Sequence, residues 1–221
     1  LLNESKYVKQ TRFIKIFVKR KGATIMVVSE DVITWEESRQ LTAKFEENLK
    51  SLNEESLAET LATVGILAIY CKPHALGFEL NHTEEIQMIF VDESGSAAEK
   101  HFKNGKTGYS TLRRSLAALL RNKYDLVAIP RSNDTIDADR YDNFALQDAS
   151  DKVLTNWMQE NLHIAVLPVE KDKIMGTVQG LINYNVPVFN LRNNRENKYG
   201  PEIKRLRKKC AEMARESEVA S

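Results

Sequence analysis

The spacing of apolar and polar residues changes several times along this chain, and each change marks an element. Short β-rich runs at 13–18 and 25–28 flank Lys-Arg-Lys-Gly, which predicts a hairpin with Gly22 in its turn. Thr34 with Glu37, and Ser51 with Glu54, have the spacing of capping boxes. The first opens a helical pattern with Leu41, Phe45 and Leu49 on one face. The second opens one with Leu57, Leu61 and Val64, which Gly65 ends. Residues 66–70 form the next apolar run, interrupted by Lys72-Pro73-His74.

From Ile86 onward, apolar runs at 86–91, 126–129, 163–167 and 186–189 alternate with helical patterns at 110–122, 144–161 and 173–184. Strand-helix alternation of this kind predicts an α/β protein with a doubly wound, mostly parallel Rossmann-like sheet covered by helices on both faces. Right-handed crossovers would bring the loops after Val91, Ile129, Leu167 and Phe189 to one edge. The expected organisation is therefore a hairpin with helices over 1–84, the α/β core over 85–200, and a closing basic helix over 201–221. Gly200-Pro201 starts that helix, with Pro201 suited to its first position.

Composition narrows this picture little. A chain of 221 residues that is 42% hydrophobic and 29% charged can bury an ordinary globular core. Its net charge of +1 sets up no overall field to recruit an anionic partner. The apolar runs are far too short to cross a bilayer, so no membrane is expected. No signal-peptide pattern opens the chain, and Leu1 in place of Met is expected of a fragment. Cys71 and Cys210 are far apart and match no metal spacing, which fits two unpaired thiols in a reducing, cytoplasmic compartment.

The local charge is more informative. Lys19, Arg20 and Lys21 crowd the predicted hairpin turn, and Lys204, Arg207 and Lys208 crowd the first turns of the last helix. Cations near a helix N-terminus oppose its dipole. The compensating groups are expected to be Glu202, Glu212 and Glu216 on the same helix, nucleic-acid phosphates, or the acidic face of another protein.

The chemistry is expected in residues 124–143, an apolar strand that breaks into a loop carrying Asp134, Asp137, Asp139 and Asp142. Asp92 and Glu93 end the apolar run before it. If the two loops meet, their carboxylates need a cation, and hard oxygen donors suit Mg²⁺. Such an ion could activate water against a phosphodiester. Other chemistries lack their parts. Gly105-Lys106-Thr107 has Lys100 where a phosphate-binding P-loop needs its first glycine. Only one His-x-Thr pair occurs, at His82, so His74 and His82 do not make a two-histidine phosphoesterase. Gly176 and Gly180, four apart on one helical face, predict close helix packing.

Residues 91–96, Val-Asp-Glu-Ser-Gly-Ser, followed by Asp137-Ala138-Asp139-Arg140 ahead of a helix, resemble the Toprim domain of topoisomerases, primases and related nucleases. The resemblance spans about 86–173. It implies Glu93 as general acid/base and Asp137 and Asp139 as Mg²⁺ ligands; Asp92, from the acidic set itself, is expected to join them. The expected function is thus metal-dependent action on nucleic-acid phosphodiesters, as a nuclease or phosphoryl-transfer enzyme. The alternative is a non-catalytic Rossmann-like nucleotide-binding or assembly protein.

Overall fold

The computed structural model describes residues 16–20, 23–27, 32–77, 86–134 and 136–219. The chain begins with strands β1 (Ile16–Arg20) and β2 (Ala23–Val27), helix α1 (Trp35–Glu47), β3 (Lys50–Ser51), α2 (Glu54–Ala62) and β4 (Gly65–Cys71). It continues through β5 (Gln87–Glu93), the single turn α3 (Ser96–Ala98), α4 (Thr111–Tyr124), and two-residue strands β6 (Ala128–Ile129) and β7 (Ala145–Leu146). Last come α5 (Asp148–Asn161), β8 (Leu162–Pro168), α6 (Ile174–Asn185) and α7 (Gly200–Val219).

The main sheet has the order β3-β8-β4-β5, and every neighbouring pair in it is antiparallel. This overturns the expected doubly wound, mostly parallel Rossmann-like sheet, and the Toprim-like topology falls with it. The reason is physical. β4 is buried along its whole length because it is a central strand with helices on both faces. A continuous apolar run reports that double burial and says nothing of strand direction. Two of the four expected core strands are also absent from the main sheet. Among the described residues β6 pairs only with β7, in a separate two-stranded ribbon. The 186–189 run is not a strand, but it lies along the free edge of β5. There Phe189 N–H donates to the Ile89 carbonyl at 2.9 Å, and the Asn190 amide both accepts from Val91 N–H (2.9 Å) and donates to its carbonyl (2.8 Å). One side-chain amide thus satisfies an edge residue that would otherwise invite another strand.

Alternation along β4 divides the core. Ile66, Ala68 and Tyr70 pack with Phe45 of α1 and Leu181 and Ile182 of α6. Leu67, Ile69 and Cys71 face Leu112 and Leu116 of α4, Leu154 and Trp157 of α5, and Cys210 and Ala214 of α7. Each of these large apolar side chains contributes about 1.5–3 kcal/mol on burial. The sheet takes β3 and β4 from before residue 84 and β5 and β8 from after it.

The helix ends follow local chemistry. Thr34 and Glu37 form the expected capping box at α1. At α2 the box is Asn53 with Ser56, not Ser51 with Glu54, because Ser51 pairs with His163 in the sheet. Gly65 begins β4 instead of ending α2, and Val64 is left exposed. Gly180 lets Ile33 lie against α6: an added Cβ would sit 2.2 Å from Ile33 Cγ1.

β1 and β2 pair antiparallel from Ile16↔Val27 to Arg20↔Ala23, as the hairpin pattern predicts. The Gly22 turn, Lys21, and the side chains of Lys19 and Arg20 lie outside the described residues, as does His82. Among the described residues, no helix is long and apolar enough to cross a membrane.

Candidate functional site

Asp92 and Glu93 occupy the end of β5. Asp92 Oδ1 accepts the Glu93 amide at 2.9 Å, and its Oδ2 lies 3.6 Å from Nε2 of the buried His101. Glu93 is exposed and accepts from Ser96 Oγ at 3.2 Å. Asp137 is engaged within its own loop. Arg131 Nη2 reaches both carboxylate oxygens at 2.6 Å, Arg131 Nε adds a bond of 3.0 Å, and Ser132 Oγ donates at 3.2 Å. The hydrogen bonds from Arg131 hold the Asp137 carboxyl below its ordinary range. Asp134 accepts the Ile136 amide at 2.9 Å in a turn, and Asp139 is exposed.

The expected donor set therefore does not fit a shared Mg²⁺ ion. Both Asp137 oxygens are engaged by a guanidinium, and no group of three or more His, Cys, Asp or Glu side chains able to hold a metal occurs among the described residues.

Polar chemistry that no sequence motif announces gathers at the start of α4. Ser110 caps this helix, accepting the Arg113 amide at 3.0 Å, and is hydrogen-bonded to His101 Nδ1 at 2.8 Å. Arg113 turns inward between α4 and α5. It donates to the Asp151 carbonyl (3.1 Å), the Asp151 carboxylate (3.2 Å) and Thr155 Oγ1 (2.9 Å). Thr107 Oγ1 donates to the same carboxylate at 2.5 Å. This network pairs a buried cation with a buried anion, while Arg113 Nε has no partner among the described residues.

A second set of cations is open. Lys204, Arg207 and Lys208, prominent in the sequence as a basic cluster, line one concavity of about 430 Å³ with Arg192, Leu191, Ala211 and Asp142. Their spacing puts them on one face of α7, but Arg192 comes from the loop that leaves the β5 edge and has no sequence signal. Among the described residues, none of these four cations has an ion-pair partner within 4.0 Å. Asp142, the concavity's carboxylate, lies 3.7 Å from Arg215.

Arg114 and Arg131 adjoin this set where α4 and β6 pack on α7. Arg114 is only 6% exposed, and its hydrogen bond goes to the Gly108 carbonyl at 2.7 Å, while its Nε has no partner among the described residues. Burial, then repulsion from Arg207 and Arg131, pushes the Arg114 guanidinium down to about 10. Burial and repulsion from Arg192 lower that of Arg207. Gly108 makes room for this: an added Cβ would meet Arg131 Cγ at 2.8 Å.

An antiparallel α/β core carrying a concavity with four cations to one carboxylate is a fold with a surface for polyanions. Residues 79–209 match the GIY-YIG catalytic domain family, and the chain belongs to that family. The matched segment runs through β5, α4, β8 and α6 and into α7, so it contains every residue that lines the concavity except Ala211. Membership makes this a nuclease domain acting on nucleic acid. No curated protein and no solved structure matches the chain at a significant level.

Proposed function

We propose that this domain cleaves phosphodiester bonds in a strand whose backbone lies in the α7 concavity. One observation carries the reading: Arg192, Lys204, Arg207 and Lys208 line a single surface without ion-pair partners of their own among the described residues. Four such cations supply the phosphate contacts that dominate nucleic-acid affinity. Fixed guanidinium groups also oppose the charge that builds on phosphorus oxygens in the transition state.

Glu93 is the residue we assign to proton transfer in this reading. It is an exposed carboxylate at the end of β5. A carboxylate held within reach of a reacting water or leaving oxygen can take or give the proton.

The test uses labelled oligonucleotides and the full chain. Lys204→Ala/Arg207→Ala/Lys208→Ala should weaken binding and reduce the slope of log affinity against log salt by about two to three, the loss of three phosphate contacts. Glu93→Gln should keep the affinity and lose cleavage. Unchanged binding in the triple variant would remove α7 from the reading, and full cleavage by Glu93→Gln would remove Glu93.

A further inference from the structure

Asp142 lines the concavity beside Arg192, Lys204, Arg207 and Lys208, yet among the described residues no ion pair within 4.0 Å joins it to any of them. It lies instead 3.7 Å from Arg215, which is not part of the lining. A carboxylate beside four cations has thus turned to a fifth outside them, and the packing of α7 shows how.

Lys204, Lys208, Ala211, Arg215 and Glu218 recur every three or four residues, so they form one stripe along α7. Lys204, Lys208 and Ala211 line the concavity, and Arg215 stands one turn beyond it. Residues 140 and 141 are tied to the far end of the stripe. Arg140 Nη2 donates to Glu218 at 2.9 Å and to the Tyr141 hydroxyl at 2.7 Å, and that hydroxyl donates to Glu218 in turn. The Arg215 guanidinium lies over the Tyr141 ring, 5.1 Å from its centroid. The chain before Asp142 is therefore anchored on α7, while the Asp142 side chain is 73% exposed and free to turn either way.

We infer that Asp142 is a competitor for phosphate built into the concavity, and that Arg215 is a positioning residue that keeps it off the four cations. The inference rests on the nucleic-acid reading of the concavity and adds how that surface is kept available. Turned inward, the carboxylate would neutralise one charge of the four and cover donors that a phosphate needs. Turned to Arg215, it leaves all four to the strand. Arg215 acts through Asp142 and need not touch the strand itself. An exposed pair of this kind holds weakly, so its effect on affinity is a few-fold.

A double-mutant cycle on oligonucleotide affinity, measured with the full chain, tests this. Arg215→Ala should weaken binding about three- to fivefold, the strength of an exposed ion pair. It should also reduce the slope of log affinity against log salt by about one. Asp142→Ala should bind at least as tightly as the parent. Arg215→Ala with Asp142→Ala should match Asp142→Ala alone, because nothing is left to hold aside. Arg215→Met keeps a side chain on the Tyr141 ring without the charge, and should weaken binding as Arg215→Ala does. Both side chains are more than half exposed, so these variants should fold, and their melting temperatures check it.

If Arg215→Ala weakens binding equally with and without Asp142, Arg215 is a phosphate contact of its own and the proposal is overturned. Parent-like binding by Arg215→Met would overturn it too, since the ring contact alone would then suffice. A parent chain that binds no oligonucleotide would sink the nucleic-acid reading and this inference with it. An additive cycle in a chain whose binding still depends on Lys204, Arg207 and Lys208 would remove this inference alone.

Discussion

Arg131 Nη2 lies 2.6 Å from both carboxylate oxygens of Asp137, and this fork closes the acidic loop on itself. A bidentate guanidinium–carboxylate pair is both strong and directional. It turns the residue expected to hold a metal into the staple of residues 131–137.

Asp137→Asn should therefore lower the melting temperature at neutral pH, while Asp139→Asn, at an exposed position, should leave it nearly unchanged. The pH dependence follows from the lowered carboxyl pKa, caused first by the Arg131 hydrogen bonds. A depressed folded-state pKa contributes stability above the unfolded value, about 3.9, and loses it as pH falls through the folded value. Melts of parent and Asp137→Asn should converge in acid. A gap that stays constant down to pH ~2 would show that the carboxylate charge plays no part.

Asp151 should be the most sensitive polar position in the core. Its side chain and that of Arg113 are only 6% and 1% exposed. Asp151→Ala strands the buried guanidinium and should cost about 3–5 kcal/mol in denaturant unfolding. Arg113→Met with Asp151→Leu removes both charges and should recover most of that loss. Equal losses in the single and double variants would mean that shape, not charge, governs the site.

Gly180 offers a test of the α1–α6 contact. Glycine to alanine in an open helix gains up to about 1 kcal/mol. Here the new methyl meets Ile33 Cγ1 at 2.2 Å, so Gly180→Ala should instead lose about 1–3 kcal/mol through overpacking. Adding Ile33→Ala should relieve part of the loss; calorimetry on the single and double variants decides it.

The two thiols should be silent in the native state. Both are buried, and burial pushes Cys71 up to about 12 and Cys210 to about 11, against an ordinary value near 8.5. Since the thiolate is the reactive form, a thiol reagent at pH 8 should label neither cysteine in the folded chain and both in denaturant. Rapid labelling of either one under native conditions would contradict its burial, Cys71 in β4 or Cys210 in α7.

Much of the local structure was legible because it depends on neighbours in sequence. Thr34 and Glu37 cap α1 through backbone groups three residues away, and Leu112 and Leu116 face inward because four residues bring a helix back to the same side. The clustering of Lys204, Arg207 and Lys208 on one face of α7 has the same origin.

What the sequence could not supply depends on partners distant along the chain. Apolar runs told where strands lie, but antiparallel pairing of β4 with both β5 and β8 was decided by which edges met. Asp137 looked like a ligand because its spacing to Asp139 is local, yet Arg131 had the geometry to take it. Arg113 and Arg114 read alike as letters. Only packing gave one of them Asp151, 38 residues away, and left the other on the Gly108 carbonyl. Periodicity records which face of an element is buried; it cannot record which charge waits on the other side.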